Sequence, residues 1–81
     1  MTHYIIFPAN TAGALLQHSG EFRDAGAAFA EFVSLVGDAS ITDFAVVEVT
    51  AEQRREVEDW SAGGSPAWDA PEWLDNAILK A

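Results

Sequence analysis

Four carboxylates, Glu52, Glu56, Glu58 and Asp59, crowd into one short stretch beside Arg54 and Arg55. If that stretch is helical, Glu52, Glu56 and Asp59 fall within about 60° of one another, next to an apolar edge made by Val57 and Trp60. Side chains so arranged suit one of two tasks: paired acid and base work, or the presentation of a negative ridge to a basic surface. Like charges at i, i+4 destabilise an isolated helix by a few tenths of a kcal/mol (about 0.2–0.5), so helix formation alone does not account for the stripe. The bland alternative is a solvated face, partly neutralised by Arg55 reaching Asp59 at i+4. Glu72 and Asp75 repeat the theme further on. Residues 43–75 then hold the acids Asp43, Glu48, Glu52, Glu56, Glu58, Asp59, Asp69, Glu72 and Asp75 against only Arg54 and Arg55.

Other reactive residue types do not assemble into a known catalytic pattern. His18 and Ser19 are chain neighbours, but successive residues of a strand point to opposite faces, and no Gly-x-Ser-x-Gly elbow surrounds the serine. His3 and His18 could meet across a hairpin, yet two histidines without a third ligand make a poor metal site. Gly63-Gly64-Ser65 lacks the lysine and the following helix of a phosphate cradle. Asp38-Ala39-Ser40-Ile41 has an alanine where an acyl carrier would place its attachment serine directly after the aspartate. The expectation is a protein without enzymatic activity, metal or cofactor.

The charge is unevenly placed along the 81 residues. Thirteen acids face four basic residues for a net charge of −9, while residues 1–20 carry no Asp, Glu, Lys or Arg. An anionic surface repels phosphate backbones and anionic lipid headgroups over roughly 8 Å at physiological salt, which argues against direct contact with nucleic acid or membrane. A basic protein surface is the complementary partner. All three tryptophans lie in the last third, each beside an acid: Asp59-Trp60, Trp68-Asp69 and Glu72-Trp73. Aromatic anchors rimmed by charge are typical of interface hot spots. Trp60 and Trp73 also suit a core, whereas Trp68, after Gly63-Gly64-Ser65-Pro66, is the best exposed anchor.

The elements that must position these residues read as one domain, 1–81. With 49% hydrophobic residues, five Phe, three Trp and one Tyr, the chain can bury a core without help from disulfides, since it has no cysteine. No apolar run approaches the roughly 18 residues of a membrane span and no secretory leader is visible, so a cytoplasmic location is expected. His3–Phe7, closed by Pro8, reads as a charge-free central strand buried on both faces. Residues 14–22 read as a second strand through Leu16, His18 and Phe22, or else as a helix over 11–18 capped by Asn10. Asp24 as N-cap and Gly37 as stop bracket a helix over 25–36, with Ala25, Ala28, Phe29, Phe32, Val33 and Val36 at helical spacing. Its other face, with small Gly26, Ala27, Ala30 and Ser34, could accept a close backbone neighbour, either the C-terminal segment or a second copy of the chain.

Residues 41–49 are apolar on both alternating faces and read as an interior strand. Thr50 and Gln53 form a capping box for a helix over 51–60. Asp69 and Pro71 begin a last helix over 70–79, with Trp73, Leu74, Ala77 and Ile78 on one stripe. The fold class is α+β: a small sheet of about three strands with one long central helix on one face and two C-terminal helices on the other.

In size, charge and acid placement the chain resembles the small acidic DNA-mimic inhibitors of phages and mobile elements, including anti-CRISPR and anti-restriction proteins. The resemblance rests on Glu48, Glu52, Glu56, Glu58, Asp59, Asp69, Glu72 and Asp75. From residue 52 to 59 a helix covers roughly 10 Å, a few axial phosphate steps of about 3.4 Å. The resemblance implies a protein that occupies the basic nucleic-acid-binding groove of a defence complex in the host cytoplasm, contacting it through Glu48, Glu52, Glu56, Asp59, Trp68, Asp69, Glu72 and Asp75. The alternative is a small homodimeric accessory protein whose acidity serves solubility, with Ala27, Ala30 and Ser34 at the interface.

Overall fold

The computed structural model describes residues 1–9, 16–38, 40–63 and 70–80. Along these the order is β1 (Thr2–Pro8), β2 (His18–Phe22), α1 (Ala25–Val36), one turn of 3₁₀ helix (Ile41–Asp43), β3 (Phe44–Val49), α2 (Ala51–Ala62) and α3 (Glu72–Lys80). This is an α+β arrangement on a three-stranded antiparallel sheet of order β2-β1-β3.

β1 is central because its four middle residues, Tyr4, Ile5, Ile6 and Phe7, are apolar on both faces and are buried on both. Register then assigns the faces. Ile5 and Phe7 lie beside Val47 and Ala45 and, with Val49, pack against Val57 of α2 and Leu74 and Ile78 of α3. On the opposite face an aromatic layer runs under α1: Phe32 meets Phe44 edge-on at 4.8 Å between centroids, and Phe29, His18, Phe22 and Tyr4 continue it. Gly20, opposite Tyr4 in the register, is where the Phe22 ring folds back: a Cβ there would lie 2.8 Å from the ring.

Local signals set the helix ends. Asp24 Oδ1 accepts from the Ala27 amide at 2.8 Å to start α1, and Gly37, at φ 89°, donates its amide to Val33 O at 2.8 Å to end it. Both halves of the Thr50/Gln53 capping box are formed, at 3.1 and 3.0 Å. α2 runs two residues past 60, to Ala62.

Several expectations are corrected. β2 begins at His18: Leu16 and Gln17 precede it, the Gln17 amide donating to Ile6 O at 2.9 Å, while Pro8 has no N–H to offer and Ala9 donates to Asp43 O on the β3 side. A helix reaching 18 is overturned by His18 in β2, while residues 10–15 lie outside the described residues. Residues 41–43 are a 3₁₀ turn, closed by the Asp43 amide on Ser40 O and by the Ser40 and Thr42 hydroxyls 2.9 Å apart, local bonds that compete with strand pairing. β3 is an edge strand, apolar on both faces because helices cover both. α1 and α2 are each twelve residues long, so α1 is not the single long helix expected. Ala25 and Val36 stand exposed at its ends, beyond the reach of the sheet. α3 starts at Glu72, just after Pro71, whose carbonyl receives the Leu74 amide. Asp69, the expected cap, lies outside the described residues.

Candidate functional site

The capping box that starts α2 sets the rotation of the whole helix. With Val57 fully buried against the sheet, Gln53 and Trp60 fall on one flank of α2, and Arg54 and Glu58 on the other. Glu52, Glu56 and Asp59 are exposed beyond the first flank. The two flanks do different work.

On the β2 flank, polar side chains interlock. Glu58 accepts from Ser19 Oγ at 2.5 Å and from Arg54 Nε at 3.1 Å. Arg54 Nη1 lies 3.1 Å from His3 Nδ1, and His3 Nε2 lies 3.3 Å from Glu21. A guanidinium only donates, so His3 Nδ1 is the acceptor and the ring proton sits on Nε2, facing Glu21. The hydrogen bond from Ser19, aided by Arg54, holds the Glu58 carboxyl below its ordinary value despite partial burial. A carboxylate so stabilised is a weak proton acceptor, and it ties β2 to α2 rather than activating Ser19. The ion pair on this helix is thus Arg54 with Glu58, not Arg55 with Asp59: only Arg54 stands over the polar groups of β1 and β2.

The histidines do not meet. His3 faces α2, whereas His18, opposite Ile6, faces α1 and pairs with Glu31 at 2.6 Å. Ser19 faces away from His18, as alternation requires.

On the other flank the acids are uncompensated. Glu52, Glu56 and Asp59 of α2 and Glu72 of α3 are exposed, and so is Glu48 of β3, whose place opposite Tyr4 in the register puts it on the α1 face of the sheet. Among the described residues, none has a Lys, Arg or His within ion-pairing distance. Glu56 instead accepts from the indole N–H of Trp73 at 3.0 Å, which joins the α2 stripe to α3. Trp73 is partly buried, with its body against the core, so it is both a packing residue and a member of this surface. Beside it an open groove of about 340 Å³ is lined by Glu48, Gln53, Trp73, Asn76 and Ala77. Gln53, Trp73 and Asn76 were not expected here as a set, since they come from two helices and meet only through tertiary contact. Asp75 falls within α3; Trp68 and Asp69 lie outside the described residues.

On α1, Ala27 is half-buried, while Ala30 and Ser34 are exposed, the Ser34 hydroxyl donating to Glu31 O at 3.0 Å. Leu35 beside them is 66% exposed. No family model matches the chain, and comparison with curated proteins and with solved structures likewise yields no match.

Proposed function

We propose that this is a non-enzymatic acidic binding protein that occupies a basic, nucleic-acid-binding groove on a partner protein, in the manner of the DNA-mimic inhibitors of phage and mobile elements. The observation that carries this reading is the division of the acids. Those toward β2 have cationic or histidine partners, whereas Glu48, Glu52, Glu56, Asp59 and Glu72 have none among the described residues and stand on adjoining elements. Unpaired, exposed carboxylates steer a basic partner and make association fast and strongly salt-dependent. Asp75 extends the same helix, and Trp68 and Asp69 precede it in the chain. The partner follows from the same chemistry: a groove lined with Lys and Arg, as in a nucleic-acid-guided defence complex. The site of action would be the host cytoplasm.

The test is capture from host lysate with wild-type protein and with the Glu52→Lys/Glu56→Lys variant, at low and high salt. Nucleic-acid-binding proteins should be retained at low salt, released by salt or by added duplex DNA, and lost with the variant. Capture that survives the charge reversal removes the proposal.

The exposed Leu35, next to Ala30 and Ser34, favours a second reading in which the outer face of α1 joins two copies. Ala30→Glu should then lower the light-scattering mass from dimer to monomer. A mass that does not fall excludes this interface.

A further inference from the structure

β3 holds a row of main-chain groups at the free edge of the sheet. The Ala9 amide bonds Asp43 O, and the register runs on from there through Phe7 with Ala45, Ile5 with Val47 and His3 with Val49. Bonded and non-bonded pairs alternate in an antiparallel ladder, so Ala45, Val47 and Val49 spend their amides and carbonyls on β1. Phe44, Val46 and Glu48 point theirs outward. The Gln17 amide on Ile6 O agrees, since it shows the alternate residues of β1 bonding toward β2. Among the described residues nothing bonds to the outward groups of Val46 and Glu48. Proteins commonly blunt such an edge with proline, lysine or a bulge. β3, Phe-Ala-Val-Val-Glu-Val, has neither proline nor lysine, and its register to β1 runs without a bulge. Its single charge is Glu48.

We infer that the free edge of β3 takes up an extended basic segment of the partner protein as a fourth strand. The inference rests on the acidic-surface reading and says how that surface grips. Residues opposite one another in a sheet point their side chains to the same face, so a Lys or Arg set opposite Glu48 lies beside its exposed carboxylate on the α1 face and completes a cross-strand charge pair. The residues before and after that cation face α2 and α3. There an open groove of about 340 Å³, lined by Gln53, Trp73, Asn76 and Ala77 and bordered by Glu48 through its backbone, has room for an apolar side chain. The segment recognised is thus a cation flanked by apolar residues, held by main-chain bonds and selected by alternate side chains. A second copy of this chain suits the edge poorly. It would bring two net charges of −9 together, and its own β3 has no cation to set against Glu48.

The experiment is a titration of the ¹⁵N-labelled chain at low salt with three short peptides: one alternating lysine and valine, its glutamate counterpart, and the lysine peptide with every amide N-methylated. The last keeps the charge and cannot donate to a ladder. With the lysine peptide the Val46 and Glu48 amides should shift and gain protection from hydrogen exchange, while the Ala45 and Val47 amides, already bonded to β1, gain little. The Trp73 indole N–H should shift as a valine enters the groove. N-methylation should weaken binding about tenfold or more, through the loss of several main-chain bonds. Glu48→Gln should weaken the lysine peptide about two- to fivefold, the range of one cross-strand charge pair. Asp38→Asn, an equal change of net charge elsewhere, should have little effect. If the plain and N-methylated peptides bind equally and only the amides of residues 52, 56 and 59 shift, the edge inference fails and the acidic surface survives. Glutamate peptide binding as tightly as lysine peptide also overturns the edge as a site for a basic strand. So does protection of Val46 and Glu48 that rises with protein concentration alone, which would make a second copy the occupant. If no signal moves with any peptide, both readings fall.

Discussion

Glu58→Gln removes one charge from the tie between β2 and α2 and keeps its shape. In the wild type the carboxylate accepts from Ser19 at 2.5 Å and from Arg54 at 3.1 Å, with 37% of the Glu58 side chain and 27% of the Arg54 side chain exposed. A pair at this exposure contributes about 0.5 kcal/mol. A hydrogen bond to a charged acceptor is worth about 1.5–3 kcal/mol against about 1 for the amide oxygen that replaces it, and solvent screening favours the lower end. The variant should therefore be about 1–1.5 kcal/mol less stable at pH 7, roughly 5–10 °C in Tm for a domain of this size. The loss has a pH signature. The Glu58 pKa is lowered from the ordinary value of 4.5, chiefly by the Ser19 hydrogen bond. Its contribution is thus fully present above that unfolded-state value and disappears as pH falls through the lower folded-state value. Urea denaturation of both proteins at pH 7 and near pH 3 should show the gap shrinking toward acid, and Ser19→Ala should remove most of that pH dependence. A gap that is the same at both pH values, or absent at pH 7, refutes the assignment of Glu58 as the charged centre of this tie.

Three further outcomes follow from the fold. Gly37→Ala should cost about 1–2 kcal/mol in chemical denaturation, because φ is 89° and nothing lies within 4 Å of the added methyl, so the penalty is the backbone's alone. Thr50→Ala, which deletes the side-chain acceptor for the Gln53 amide, should lower stability by about 1 kcal/mol and reduce helical circular dichroism during the early part of the melt. Leu74→Ala, at a residue 1% exposed in the core shared by α2, α3 and the sheet, should cost about 2–5 kcal/mol, measured by urea midpoint at constant m-value.

The features visible in the chain are those whose causes are local. Asp24, Gly37 and the Thr50/Gln53 box each act within four residues, and each stands where its chemistry places it. The charge-free run through Ile5 and Ile6 reads as a central strand because burial on both faces leaves no position for a charge. The same reasoning misplaces β3. Alternation reports which faces are covered but not which edge is paired, and Ala45, Val47 and Val49 look alike in an interior strand and in an edge strand roofed by helices. The choice of Arg54 over Arg55 was equally hidden. Each has an acid four residues on, and the decision belongs to His3 and Ser19, far away in the chain. Trp73 reads as core from its stripe, yet its N–H reaches Glu56, seventeen residues back.

Strand order converts these local facts into a charge map. Toward β2, Glu58 has Arg54 and Asp24 has Arg23, while Glu21 lies beside the His3 ring and Glu31 beside the His18 ring, so these arginines and histidines are spent there. β1, with no Asp, Glu, Lys or Arg, separates that side from Glu48 on β3 and from the exposed acids of α2 and α3. A surface made negative only for solubility would gain as much from acids spread evenly, and would avoid the repulsion of Glu52 and Glu56 one turn apart. At about 6 Å along the helix that repulsion is a few tenths of a kcal/mol (about 0.2–0.5) per neighbouring pair, small against a domain's stability yet unfavourable at every step. Folding gains nothing from it. A basic partner would remove it on contact, because its cations would neutralise acids that have no counter-charge among the described residues, so that association and relief of self-repulsion act in the same direction.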